Sequence, residues 1–187
     1  SQENWDRYND SGSSYAPLMN RCIAGQYPAA STFKAFTGLA ALNYGFASSS
    51  TSWNCSGTWT GFGEAYAQKC WLTTGHGAID LRHGIVVSCD VVFYEIAKNF
   101  YDASSKIGDD AMQNYIKEFG LGSKTGIELP DEAQGVIPTP EWKKEYFRNA
   151  PEESQWQPGD MTNMVIGQGN VLVTPLQMAV GYAGIAT

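Results

Sequence analysis

Ser31 and Lys34 stand three residues apart in the stretch Pro28-Ala29-Ala30-Ser31-Thr32-Phe33-Lys34-Ala35-Phe36. A serine and a lysine at that spacing can act as a nucleophile and its base. Phe33, Phe36, Leu39 and Leu42 recur at three-residue steps, which predicts a helix over residues 28–42 with one apolar stripe. Side chains at i and i+3 stack on one helix face, so the lysine amine can approach the serine oxygen. A lysine wedged beside Phe33 and Phe36 loses hydration, which favours the neutral amine that can take the serine proton. Free N–H groups at the helix N-terminus would stabilise negative charge developing near Ser31 and supply part of an oxyanion hole. An N-capped amphipathic helix with a surface lysine gives the same pattern, so the meaning of the pair depends on its company.

Cys55, Cys70, His76 and Cys89 form a second set. Three thiolates and one imidazole suit a tetrahedral zinc ion. The spacing is not that of a zinc finger, and two alternatives stay open: a Cys55–Cys70 disulfide with Cys89 as a buried thiol, and His83 in place of His76. Zinc is favoured because this loop is poor in core residues and a metal clip can supply about 10 kcal/mol or more of apparent folding free energy. Four protein ligands leave no open position for water, so the role would be structural. Cys22 is expected outside the set, as a small core residue with Leu18 and Met19.

The elements that must position these groups are legible in composition and periodicity. With 187 residues and 43% apolar side chains the chain can build one core. The net charge of −7 argues against a nucleic-acid partner, and no apolar run is long enough to cross a membrane. Residues 1–16 are polar and read as a loosely ordered approach segment. A short helix is expected over residues 15–23. Residues 44–60, rich in Gly, Ser and Thr, read as loop with a short hairpin, anchored by Trp53 and Trp59. The apolar run 85–97 predicts one buried helix with Ser88 near its start, continuing toward Tyr101. Further helices are expected over 108–119, over 141–147 between prolines, and over 175–185 with Thr174 as cap and Pro175 in its first turn.

Three motifs give the chain its resemblance to a known family. Pro28-x-x-Ser31-Thr32-Phe33-Lys34, Ser88-Cys89-Asp90-Val91-Val92-Phe93-Tyr94, and Gly167-Gln168-Gly169-Asn170 leading to Thr174-Pro175-Leu176-Gln177 stand in the order and rough spacing of class B penicillin-binding proteins. The resemblance runs from about Asn20 to the C-terminus and implies an α+β serine transpeptidase fold. On that likeness residues 1–187 would be a single partial transpeptidase domain, mainly its helical part. The implied activity is a peptidoglycan D,D-transpeptidase, acylated at Ser31 by D-Ala-D-Ala stem peptides and trapped there by β-lactams. Lys34, Ser88 and Asp90 would complete the catalytic set, with Ser88 passing protons and Gln168 and Gly169 at the edge of the substrate cleft. Some members are similar in carrying metal where Cys55, Cys70, His76 and Cys89 stand.

The likeness also carries its departures. The slot of Asp90 is usually an asparagine, and a carboxylate there would favour the protonated lysine over the neutral base. That substitution keeps open a non-catalytic or β-lactam-sensing module. A β-lactamase fits worse, since no extra carboxylate is placed to activate a deacylating water. Lys124-Thr125-Gly126 mimics a third family motif but is expected to be a loop, with the true strand coming after the helix at Pro175. A chain without that strand is expected to leave apolar surface uncovered and to acylate slowly. The family implies the extracytoplasmic face of the bacterial cell membrane, attachment through an N-terminal anchor outside this chain, and other cell-wall synthesis proteins as partners.

Overall fold

The computed structural model describes residues 1–8 and 18–187. Helix α1, Gln2–Tyr8, buries no residue. Where polar composition predicts loose order, a helix forms: Glu3 and Arg7 complement the helix dipole at its two ends, and Gln2 Nε2 donates to Asp6 Oδ1 at 2.8 Å one turn on. The remainder of that approach segment, and the first residues of the helix expected over 15–23, lie outside the described residues. Residues 20–24 make a single turn, closed by Ala24 N–H donating to Asn20 O at 2.9 Å. The turn buries Ile23 but leaves Leu18, Met19 and Cys22 exposed, so Cys22 is not the core residue its neighbours suggest.

The helix expected over 28–42 exists in two parts. A 3-10 turn, Ala30–Phe33, carries Ser31 and runs directly into α2, Lys34–Asn43. Phe33 and Phe36 of the expected stripe are fully buried, but Leu39 is only half-buried and Leu42 is exposed; the buried face turns instead to Thr37, Ala40 and Ala41, because the helical period of 3.6 carries a strict three-residue step off the core side. The last helix of the chain, α8, Pro175–Ala186, braces the nucleophile turn from outside through Tyr182. The Tyr182 ring lies edge-on to Phe36 at 5.2 Å and its hydroxyl donates to Thr32 O at 2.8 Å.

Four short strands then build two antiparallel pairs. Strand β1, Ser52–Cys55, pairs with β4, Gly77–Asp80, while β2, Thr58–Trp59, pairs with β3, Gln68–Lys69. The register sets Cys55 opposite Gly77, which brings His76 to Cys55, and Lys69 opposite Thr58, which leaves Cys70 at the same end. Two glycines let the link between β1 and β2 pack backbone to backbone against the link between β3 and β4. Gly57 has φ +91° and Gly75 φ +81°, and a Cβ on them would lie 2.0 Å from Thr73 O and 2.2 Å from Cys55 O. Trp59 anchors this region as expected: it is buried against Phe62 and Tyr94 and its indole N–H donates to Glu95 Oε1 at 2.6 Å.

The single helix expected from Ile85 onward is broken. Helix α3, Leu81–Val86, ends before Ser88, and α4, Asp90–Ile107, begins after it. Ser88 itself has φ +54°, a left-handed backbone that no helix continues through. Hydropathy alone hides the break, because valines and isoleucines stand on both sides. Helix α5, Ala111–Lys117, buries Met112 and Ile116, in agreement with the pattern. Helix α6, Pro140–Tyr146, is capped by Thr139. The proline-rich stretch also holds an element not expected, α7, Pro158–Val165, which lies against α4. Its start is fixed because Asp160 Oδ2 accepts both the Gln157 N–H at 2.7 Å and Lys143 Nζ at 2.6 Å. Helix α8 opens on a reciprocal cap in which Thr174 and Gln177 each bond the other's backbone. Lys124-Thr125-Gly126 is a loop, with Glu132 Oε1 accepting from Thr125 N and Oγ1 at 2.6 Å each.

One core runs through all of these elements, from Phe33 and Phe36 across Phe93, Ile96 and Met112 to Met164 and Val171. The Gly57–Gly75 contact leaves no room for a side chain. Gly57→Ala places a methyl group inside a backbone carbonyl contact and demands a disfavoured φ. It should destabilise the protein by about 3 kcal/mol or more, read as a lowered midpoint in thermal and urea unfolding.

Candidate active site and cysteine cluster

Ser31 sits exposed at the start of its 3-10 turn, and the residue before it, Ala30, has φ +48°. The turn is held from behind by Gly167, whose carbonyl accepts the Ala30 N–H at 2.8 Å. A Cβ on Gly167 would lie 2.5 Å from Ala30 O and 2.6 Å from Phe33 Cβ, so only glycine lets the loop approach this closely. The Gly-Gln-Gly motif therefore acts on the nucleophile through its first glycine. Gln168 and Gly169, the two expected at the site, are exposed beside it and, among the described residues, make no hydrogen bond to the nucleophile turn.

Lys34 is 1% exposed, and its ammonium is surrounded by acceptors. Nζ donates to Ser88 O at 3.0 Å, to Ser88 Oγ at 2.9 Å and to Asp90 Oδ1 at 2.6 Å, with the Phe93 ring centroid 5.3 Å away. Three N–H bonds and three acceptors match, which is what a buried ammonium requires. Ser88 Oγ donates in turn to Ser31 Oγ at 2.8 Å. The sequence spacing suggests a direct Ser31–Lys34 approach. The hydrogen-bonded path instead runs Ser31, Ser88, Lys34, with Ser88 as the middle member. As drawn the donors point toward Ser31; with the amine neutral and the Ser88 hydroxyl turned toward it, the same heavy atoms can carry a proton away from Ser31. Left-handed backbone at Ser88 costs on the order of 1–3 kcal/mol, and it aims both the carbonyl and the hydroxyl of one residue at Lys34.

Asp90 has a second fixed oxygen. Oδ2 accepts the backbone N–H of Trp71 at 3.0 Å. Trp71 is a residue that spacing rules do not single out; the signal available is its place directly after Cys70.

The cysteine cluster lies at the other side of Ser88 and Asp90. One ligand atom from each of Cys55, Cys70, His76 and Cys89 falls within 4.8 Å of all the others. His76 Nδ1 is 3.6 Å from Cys55 Sγ and 3.7 Å from Cys70 Sγ. A tetrahedral zinc with Zn–S near 2.3 Å and Zn–N near 2.0–2.1 Å requires S···N separations of about 3.6 Å. All four cysteines of the chain are unpaired, and Cys55, Cys70 and Cys89 are buried. Burial pushes the Cys89 thiol up to about 12, with the neighbouring Cys55 and Cys70 adding to it. Burial acts the same way on Cys55 but is outweighed there by N–H groups of His76 and Gly57 and by the other two thiols, so Cys55 lies below its ordinary range. A site that spreads three thiols over one small volume and pulls one toward thiolate has the chemistry of a metal cradle. His83 is exposed on α3, its backbone bonded to Asp80, and stays outside the cluster.

The family model for the penicillin-binding protein transpeptidase domain matches residues 1–187. Over 167 residues the chain is 35% identical to the peptidoglycan D,D-transpeptidase MrdA of Acinetobacter baumannii, covering 89% of this chain and 23% of that protein. The crystal structure of Pseudomonas aeruginosa PBP2 in complex with WCK 5153 is similar with a TM-score of 0.84 at 30% identity, over 100% of this chain and 39% of that one. The complex of PBP2 and MreC from Helicobacter pylori is similar with a TM-score of 0.81 at 31% identity, over 95% of this chain and 31% of that one.

Lys34 gives the site its sharpest energetic test. Removing the Asp90 carboxylate strands a buried ammonium, so Asp90→Ala should cost about 3–5 kcal/mol in urea unfolding at neutral pH. Asp90→Asn keeps an oxygen for Lys34 and should lose less than Asp90→Ala does.

Proposed function

The chain belongs to the penicillin-binding protein transpeptidase family, and from that membership we propose that the natural protein is a peptidoglycan D,D-transpeptidase with Ser31 as its nucleophile. The observation that carries the reading is the chain from Ser31 Oγ to Ser88 Oγ to the buried Lys34 Nζ. With Lys34 neutral, Ser88 takes the Ser31 proton as it gives its own to Lys34. Ser31 Oγ bonds the carbonyl carbon of the penultimate D-Ala, the C–N bond to the terminal D-Ala breaks, and Lys34 returns a proton through Ser88 to the leaving amine. An acceptor amine then attacks the ester, and Ser31 is regenerated. A β-lactam would open on the same serine and stay there. Gln168 and Gly169, exposed beside Gly167, would form the rim along which the stem peptide lies.

The Asp90 carboxylate 2.6 Å from Lys34 favours a second reading. A carboxylate so placed occupies the amine that the relay would use as its base, which suits a β-lactam-sensing or non-catalytic member that acylates slowly. The Cys₃His set supports a structural zinc held by Cys55, Cys70, His76 and Cys89, supplying cross-linking of the two strand pairs and no open coordination position. The localisation this implies is the extracytoplasmic face of the bacterial cell membrane, with an anchor outside this chain; among the described residues no helix is long and apolar enough to cross a membrane. Other cell-wall synthesis proteins are the expected partners, as MreC is for a similar PBP2.

Intact-mass measurement after exposure of the natural full-length protein to penicillin tests the main reading. One stable adduct is expected on the wild type and none on Ser31→Ala; adduct formation unchanged in Ser31→Ala would defeat it, and rapid turnover would indicate a β-lactamase. Ser88→Ala should slow acylation by about 10²- to 10⁴-fold. Elemental analysis of protein purified without added metal should find about one zinc per chain, and chelation should lower the melting temperature. Absence of zinc together with a mass two hydrogens light would establish the disulfide instead.

A further inference from the structure

Trp71 is 62% exposed yet held at three points. Its backbone N–H donates to Asp90 Oδ2 at 3.0 Å, its indole N–H donates to Val87 O at 3.0 Å, and its ring meets the His76 ring edge-on at 5.5 Å. A large aromatic side chain that buries little of itself gains little from the hydrophobic effect, so its fixed pose comes from these bonds. Their targets are informative. Asp90 Oδ2 belongs to the carboxylate whose other oxygen binds Lys34. Val87 O belongs to the peptide group that joins Val87 to Ser88, and the left-handed φ of Ser88 is measured from that group.

We propose that Trp71 is a positioning residue for the Ser31–Ser88–Lys34 relay: its indole N–H pins the Val87–Ser88 peptide and thereby keeps the strained Ser88 aimed at both Ser31 and Lys34. The bond is directional and comes from outside the helical segments on either side of Ser88. Within the segment, Ser88 N–H donates to Ile85 O at 3.2 Å and Cys89 N–H to Gly84 O at 2.8 Å, so the preceding helix grips the donors of this turn. The carbonyl of Val87 is gripped by Trp71. Without it that peptide can rotate toward the helical conformation favoured by its apolar neighbours, and the Ser88 hydroxyl leaves the line between Ser31 and Lys34. Because Trp71 directly follows Cys70, the same residue transmits the position of the cysteine cluster to the relay.

The proposal rests on the transpeptidase reading for its kinetic consequence and stands apart from it for its structural one. Trp71→Phe keeps a ring and removes the indole N–H; replacement by 3-benzothienylalanine removes the N–H at nearly constant shape and serves if the phenylalanine variant is unstable. In the natural full-length protein, the acylation rate constant with fluorescent penicillin should fall about tenfold while the noncovalent dissociation constant and bound zinc stay unchanged. In a Ser88→Ala background the same substitution should change acylation by less than about twofold, because its effect passes through Ser88. Amide hydrogen exchange at Ser88 should accelerate about tenfold in either variant, whether or not the protein acylates. Unchanged exchange at Ser88 overturns the proposal, as does an acylation loss of equal size with and without the Ser88 hydroxyl. A wild type that takes no penicillin defeats the transpeptidase reading, and the exchange measurement then decides the position of Ser88 by itself.

Discussion

The molecule is arranged around one buried ammonium. Placing a lysine at 1% exposure inside a core is unfavourable unless every N–H finds an acceptor, and Lys34 finds three. Those acceptors cannot come from a regular helix, whose carbonyls are already used. They come from a break in one. Ser88 leaves the helical path, presents its carbonyl and its hydroxyl to Nζ, and Asp90 at the first turn of the next helix adds a charge. The break between α3 and α4, the left-handed Ser88 and the short contact to Asp90 are thus one constraint seen from three sides.

Around that constraint two supports are built from different chemistry. On one side Gly167 and Tyr182 brace the turn that carries Ser31, through a close backbone approach and a hydroxyl bond. On the other the strand pairs converge, with Gly57 and Gly75 in backbone contact where any side chain would collide. Their convergence delivers Cys55, Cys70 and His76 beside Cys89, which lies between Ser88 and Asp90 in sequence. The nucleophile turn is fixed by packing, and the relay residues are fixed by the cluster's end of the strands.

Much of this arrangement is legible in the sequence, for reasons particular to each element. Phe33 and Phe36 on the buried face of α2, the cap at Thr174 and the burial of Met112 and Ile116 in α5 depend on local periodicity and local hydrogen bonds, which sequence displays, whereas Leu42 follows the same three-residue step and ends exposed. Ser31, Lys34 and the cysteine set come from residue type and spacing, Ser88 and Asp90 from the family resemblance, and the structure brings each group together. What sequence cannot display is the break at Ser88: valine and isoleucine on both sides read as one apolar run, and the partners that meet the break, Lys34 and Trp71, are distant in the chain. Helix α7 carries local signals, Pro158 in its first turn and the Gln157–Asp160 cap, but the prolines around it read as punctuation, and its tie to Lys143 is distant in the chain. Leu18, Met19 and Cys22 look like core from their apolarity, yet the single turn at 20–24 buries Ile23 and leaves them exposed.

The Gly-Gln-Gly motif reaches the nucleophile turn through its main chain. Polar side chains draw attention as binding groups, so Gln168 is the natural candidate. The contact that reaches the nucleophile is instead a carbonyl of a residue with no side chain at all. The same holds at Ser88, where the backbone oxygen contributes to Lys34 alongside the hydroxyl. In both places the sequence names the residue type while the function rests on what the main chain is free to do there: at Gly167 because a Cβ would strike Phe33 and Ala30, and at Ser88 because the surrounding bonds hold a serine in a conformation it would leave if they were loosened.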